Sequence, residues 1–415
     1  MHHSRIPPAN DKGERWMVTL VLQARAPDAK MLAHLKDGWP PVDALLATAS
    51  ERTGLDDFGD PDFKVGLARL LQSLDEDAQL DEPSRIGVLD VLVRRLVSRL
   101  RVEAWHSQHQ SADITDPIMI TGLPRTGTTA LANMMSLDPQ FRALPPWEQI
   151  DPWYTEFAGD KENDPRRIAT IERQSSFVAA NPDQMAMHLY EIDATEEDHD
   201  IIGLGFMAQH NTLPVGGYRT WWRAADARPA YAFHKKALQI LQAHHMPRPW
   251  LLKAPHYKFH MAQIAEVYPD VRYVFTHRDP AKTLPSYISF VTHFYPKGTV
   301  DRIGMPVIAN EIYTHLLEGM KTAMADRDRL GEDRFVDMSQ NALNRDPIAT
   351  LEATYDGLGL PFTPAYADAV RAYSDTNATG AHGSHKYTAE QFGLTPERIR
   401  SDFAFYIDRF GDQIA

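Results

Sequence analysis

The apolar positions of this chain follow two periods. Through the first hundred residues they recur at helical spacing. Val65-Gly-Leu-Ala-Arg-Leu-Leu and Ile86 to Leu100 each gather apolar residues on one face, with charges on the other. Pro83, in Asp-Glu-Pro-Ser-Arg, stands where a first helical turn accepts proline and so starts the second of these. Further along, short unbroken apolar runs take over: Ile118-Met119-Ile120, Trp250-Leu251-Leu252, Val271 to Thr276 and Phe335-Val336. Runs of this length suit strands buried on both faces, as in parallel sheets covered by helices. Helical stretches separate them, at Pro229 to His245, Pro306 to Met324 and around Pro347 to Leu358. The pattern predicts an α/β, three-layer domain with a mostly parallel central sheet over residues 111–415, preceded by an N-terminal helical region over 1–110. The polar stretch His106 to Pro117 joins the two.

The first apolar run leads into Gly122-Leu-Pro-Arg-Thr-Gly-Thr-Thr129, followed by Ala-, Leu- and Met-rich helical sequence up to Asp138-Pro139. In a strand–loop–helix of this kind the loop N–H groups and the positive end of the helix dipole converge on one point, which suits a phosphate or sulfate. The spacing makes the domain P-loop-like, with Gly122, Gly127 and Thr129 in register with G-x-x-x-x-G-K-[ST]. Thr128 occupies the lysine position, which argues against ordinary ATP or GTP hydrolysis; the cation lies within the loop, at Arg125.

This GLPRTGTT segment resembles the 5′-phosphosulfate loop of sulfotransferases that use 3′-phosphoadenosine 5′-phosphosulfate (PAPS) and release 3′-phosphoadenosine 5′-phosphate (PAP). The likeness is to the bacterial branch with Arg in the loop. It implies that Pro124, Arg125, Thr126, Gly127, Thr128 and Thr129 hold the 5′-phosphosulfate. It also implies that Arg278, after the strand Val271 to Thr276, and Ser286, eight residues on, clamp the 3′-phosphate. A guanidinium can bind a phosphate through two parallel hydrogen bonds, and a hydroxyl adds a further donor. Asp279 can cap and Pro280 open the helix that carries Ser286, although Pro285 should kink it. Lys253, at the end of the strand before Pro255, resembles the family's strand-end lysine, and either it or Arg125 would stabilise charge on the transferring group. Lys386, in a Lys-Tyr…Phe-Gly-Leu segment like the family's C-terminal one, is a further nucleotide ligand; a polar loop accounts for it equally.

Two residues compete for the proton of the acceptor hydroxyl. Glu148, in Pro145-Pro-Trp-Glu, matches a Trp-Glu pair of the family, and its apolar neighbours would raise its pKa toward neutrality. A surface acid in a Pro-broken loop fits as well. His256 follows Lys253 closely, one residue before the place where the family's histidine often falls. His256 and His260 also have i, i+4 spacing, but Tyr257 replaces the glutamate of H-E-x-x-H and no third ligand follows, so no metal is expected. The run Glu196-Glu-Asp-His-Asp200 reads as a solvated face or helix end, Tyr218 to Arg223 as core, and Tyr287 to Tyr295 as an aromatic cluster. Asp57-Phe-Gly and His277-Arg-Asp are triplets familiar from protein kinases. Here they stand in reversed order and far apart, with no Gly-rich loop before them, and the kinase fold is rejected.

Composition narrows the field. A formal charge of −13 over 415 residues excludes nucleic-acid binding as the main task and requires a local basic pocket for an anionic ligand. The chain has no cysteine, so neither disulfides nor thiolate metal sites form. Residues 1–15 carry no apolar leader core and no run reaches membrane-spanning length, which leads to the expectation of a cytoplasmic protein without an integral membrane segment. The expected reaction is sulfuryl transfer from PAPS to a small hydroxyl acceptor, apolar or aromatic in view of the aromatic loops. The alternatives are a nucleotide kinase or NTPase with a degenerate loop, and a non-catalytic nucleotide-binding scaffold. Sequence does not set the oligomeric state.

Overall fold

The computed structural model describes residues 29–36, 38–156, 159–180, 192–193, 195–243, 245–376 and 388–414. Its centre is a five-stranded sheet of β1 (Ile118–Gly122), β2 (Arg142–Ala143), β3 (Trp250–Lys253), β4 (Arg272–His277) and β5 (Phe335–Ser339), ordered β2-β3-β1-β4-β5. Every strand pairing is parallel. The apolar runs are unbroken because both faces are covered. Ile118 and Ile120 of β1, Leu251 of β3 and Val274 of β4 enter one buried cluster. Their neighbours Met119, Leu252, Tyr273 and Phe275 enter another on the opposite face. Alternation of side chains along a strand produces this division.

The smaller cluster is closed by helices at Thr128–Met135, Pro347–Gly357 and Pro364–Thr376, through Leu131, Leu351, Tyr355 and Val370. The larger one extends into the N-terminal helices α1 (Val42–Thr53), α2 (Phe63–Glu76) and α3 (Glu82–Gln108). Helix α3 begins as its sequence requires: the Asp81 side chain accepts a hydrogen bond from the Ser84 amide at 3.0 Å, and Pro83 lies in the first turn. Its basic stretch turns inward. Leu92, Val93, Leu96 and Leu100 are buried, and so is Arg99, whose guanidinium donates to the carbonyls of Phe58, Asp60 and Leu204. The cation lies between the rings of Phe63 and Phe233, at 4.1 and 4.0 Å, so its charge is met on every side. None of the described helices is long and apolar enough to cross a membrane.

The ends of β1 and β4 come unusually close. Gly122 pairs with Thr276 and has φ +140°; a Cβ there would lie 2.5 Å from the Thr276 carbonyl oxygen and 2.6 Å from its hydroxyl. Both the dihedral and the contact require glycine. Gly122→Ala is therefore expected to cost at least about 2 kcal/mol in urea unfolding. A change below about 0.5 kcal/mol, the level of an ordinary surface substitution, would contradict this reading.

Candidate active site

From Gly122 the chain forms a tight loop into α4 (Thr128–Met135). Arg125 and Gly127 both take left-handed backbone, at φ +68° and +85°. Thr126 is fully buried; its hydroxyl donates to the Leu123 carbonyl at 2.6 Å and lies 2.5 Å from the Thr276 hydroxyl. Any role of Thr126 toward an anion therefore falls to its backbone N–H, because its side chain closes the loop. A Cβ at Gly127 would approach Gln340 Cγ to 2.9 Å, so the turn into α4 is closed against larger residues too.

Arg278, just beyond β4, reaches back over this loop and donates from Nη1 to the Arg125 carbonyl at 3.0 Å. Its Nε is buried and has no protein partner, a donor still to be satisfied. The helix α5 (Pro280–His293) is capped by Asp279, whose side chain accepts from the Ala281 amide at 2.9 Å. It continues through Pro285, so the expected kink does not divert Ser286. The Ser286 hydroxyl accepts a 3.3 Å hydrogen bond from Arg125 Nε, and the Arg125 guanidinium stands 5.1 Å above the Phe290 ring. Arg125, Arg278 and the loop glycine Gly127 line one cavity of about 460 Å³, together with Pro124, Thr128 and Thr129. Tyr287, Phe290, Val291 and Phe294 give the same cavity an apolar side.

Its remaining wall is acidic. Glu196, Glu197, His199 and Asp200 line the cavity, so the run read as a solvated face is in fact part of the cleft. Lys253 explains how the charges are tolerated. Its side chain is wholly buried at the end of β3, with Nζ 3.0 Å from Glu196 and 3.6 Å from Glu197. Burial alone would lower the ammonium pKa, but the two carboxylates outweigh it and raise it. Lys253 thus supports the acidic wall and is not among the cavity's lining residues.

Neither expected base is placed in the cleft. Glu148 lies on the one-turn helix Pro146–Gln149, which presents Pro146 and Gln149 to the cavity. The Glu148 carboxylate points the other way, accepts from Arg142 at 2.6 Å and lines a separate cavity with Trp147, Tyr154 and Arg166. Burial does raise its pKa, against the pull of Arg142, but away from the loop. His256 is completely buried one layer behind the wall, 3.5 Å from Asp198 and with its ring 5.0 Å from that of His199. Burial pushes its pKa down to about 3. Lys386 lies outside the described residues. Among the described residues, no three His, Asp or Glu are arranged to hold a metal ion.

With this geometry in view, comparison with known proteins is decisive: a model of the sulfotransferase family matches residues 117–364. The chain belongs to the sulfotransferase family. Over 168 residues it is 27% identical to omega-hydroxy-beta-dihydromenaquinone-9 sulfotransferase Stf3 of Mycobacterium bovis, and equally to the protein of that name from Mycobacterium tuberculosis. That match takes in 39% of this chain and 40% of each relative's length. The fold is similar to the crystal structure of sulfotransferase STF9 from Mycobacterium avium, with a TM-score of 0.79 and 26% identity over 89% of this chain and 96% of that one. STF1 from Mycobacterium tuberculosis H37Rv gives 0.76 and 26% identity, over 88% of this chain and 99% of that one.

In this member of the family the acidic wall is anchored from behind by Asp198. Its carboxylate is fully buried; it accepts from His234 at 2.8 Å and from the Tyr257 hydroxyl, and it faces His256. Burial raises the Asp198 pKa, but these partners outweigh it and hold the carboxyl at about 2. A depressed folded pKa stabilises the protein above the ordinary aspartate value of 3.8, and this contribution is lost as pH falls from there toward 2. Asp198→Asn is expected to lower stability at pH 7 and to flatten the loss of stability on acidification between pH 4 and 2. Chemical denaturation across that range measures both. An unchanged acid limb would show that Asp198 is not held as described.

Proposed function

We propose that this protein moves a sulfuryl group from PAPS to the hydroxyl of an apolar or aromatic small molecule. The observation that carries the proposal is the meeting of Arg125 and Arg278 on a single cavity. One grip is the Gly122–Thr129 loop, whose N–H groups and helix end suit the 5′-phosphosulfate. The other is Arg278 with Ser286, suited to a 3′-phosphate monoester. The unpartnered Arg278 Nε and the glycine-only turn at Gly127 fit such a donor: one supplies an unused N–H, the other sets the left-handed turn that leads the loop into its helix. When bound, PAPS supplies an activated sulfuryl group with a phosphate leaving group. The protein's part is alignment and fixed positive charge from Arg125 and the loop amides. A kinase reading lacks its lysine, because Thr128 fills that position.

The acceptor class follows from the other side of the cavity. Tyr287, Phe290, Val291 and Phe294 offer apolar surface, while Glu196, Glu197 and Asp200 disfavour anionic acceptors. The Stf3 relatives are named for an omega-hydroxylated menaquinone, a hydroxyl borne on an apolar molecule, and the same class suits this wall.

Titration calorimetry with PAP, AMP and ATP tests the donor assignment. PAP is expected to bind at least tenfold more tightly than AMP, about 1.4 kcal/mol, and Arg278→Ala to remove most of that difference. Preferential binding of ATP over PAP would contradict the proposal.

A further inference from the structure

We propose that His199, oriented by Glu197, is the base that takes the proton of the acceptor hydroxyl; this rests on the sulfuryl-transfer reading above. Both residues line the cavity that holds the loop and Arg125, whereas Glu148 and His256 do not. His199 Nε2 lies 2.6 Å from a Glu197 carboxylate oxygen. An ionised carboxylate only accepts, so Nε2 carries the proton and donates it to Glu197. Nδ1 then keeps its lone pair, and no described side chain engages it. A carboxylate that fixes the tautomer and stabilises the imidazolium is the logic by which histidine bases are oriented in general.

The acceptor oxygen forms its bond to sulfur as the bond from sulfur to the 5′-phosphate oxygen breaks, and that oxygen keeps the electron pair. The acceptor's proton passes to Nδ1 of His199, giving an imidazolium beside Glu197. Lys253, 3.6 Å from the other Glu197 oxygen, holds that carboxylate in place; it is a positioning residue.

Among the described residues, several charged and titratable groups surround the imidazole. Glu197, Asp198 and Asp200 belong to its own segment, and Arg95 of α3 reaches Asp200 at 3.4 Å. His256 follows β3, with its ring centroid 5.0 Å away. Asn211 Nδ2 lies 3.4 Å from Nε2, and His210 beside it is held neutral by burial. Burial lowers the His199 pKa, but Glu197, then Asp198 and Asp200, raise it by more. Glu197, by contrast, would be raised by burial but is held at about 2 by Lys253 and His199, which makes it a poor proton acceptor itself.

Histidine-selective NMR titration of the full chain, read against His199→Ala for assignment, should place the His199 imidazole above about 6.5, with Glu197→Gln shifting it downward. Turnover of PAPS, with 2-naphthol or water as acceptor, whichever is faster, should fall about 10²- to 10⁴-fold in His199→Ala while PAP affinity stays within twofold. Because the base must be neutral, activity should be lost as pH falls through the raised pKa. Glu197→Gln should move that limb to lower pH. Retained PAP binding also shows that each variant is folded. The proposal is overturned if His199→Ala binds PAP and turns over within tenfold of the parent, or if the imidazole ignores Glu197→Gln. Failure of the parent protein to bind PAP would instead remove the donor reading beneath it.

Discussion

The cleft depends on the close approach between the ends of β1 and β4. Gly122 lies opposite Thr276, near enough that no side chain fits between them, and the Thr276 hydroxyl meets that of Thr126 inside the loop. This contact fixes the loop's shape from below. It also fixes the point at which Arg278, two residues beyond Thr276, leaves the sheet. The hydrogen bond from Arg278 to the Arg125 carbonyl then joins the two cationic elements directly. Adjacent parallel strands thus deliver a loop and a cation to the same crevice at their carboxyl ends, where open α/β sheets bind their ligands.

Charge in the cleft is divided. Arg125 and Arg278 line it together with Glu196, Glu197 and Asp200, in a protein whose overall formal charge is −13. An anionic donor is attracted to the cations, while Glu197 is kept ionised by Lys253 and His199, and Asp200 by Arg95. Buried charge of this kind is costly unless paired, and Lys253 is paired with Glu196 and Glu197. Asp198 continues the arrangement inward to His234, whose other nitrogen meets the Tyr268 hydroxyl at 2.7 Å. The acidic wall therefore rests on a hydrogen-bonded interior, which limits how far it can shift.

The sheet and the loop were legible in the sequence because their signals are local. Unbroken β-branched and aromatic runs mark strands buried on both faces, and Asp279-Pro280 or Asp81-Glu82-Pro83 mark helix starts wherever they occur. The wall was not legible. Five consecutive polar residues, Glu196 to Asp200, have the composition of a solvated segment; partners distant in the chain make their burial tolerable, Lys253 for Glu196 and Glu197, His234 and Tyr257 for Asp198, and Arg95 for Asp200. The direction of the Glu148 carboxylate was hidden for a different reason. On a single helical turn, neighbouring side chains diverge, and nothing local tells whether Glu148 or Gln149 faces the loop. Ser286 meets Arg125 despite Pro285, since the helix continues through that residue.

The most direct test is a crystal structure of this protein with PAP bound. One nucleotide is expected to span the cleft, with its 5′-phosphate on the Gly122–Thr129 loop and its 3′-phosphate within hydrogen-bond reach of Arg278 and Ser286. A nucleotide bound elsewhere, or one that leaves Arg278 without a phosphate contact, would contradict it.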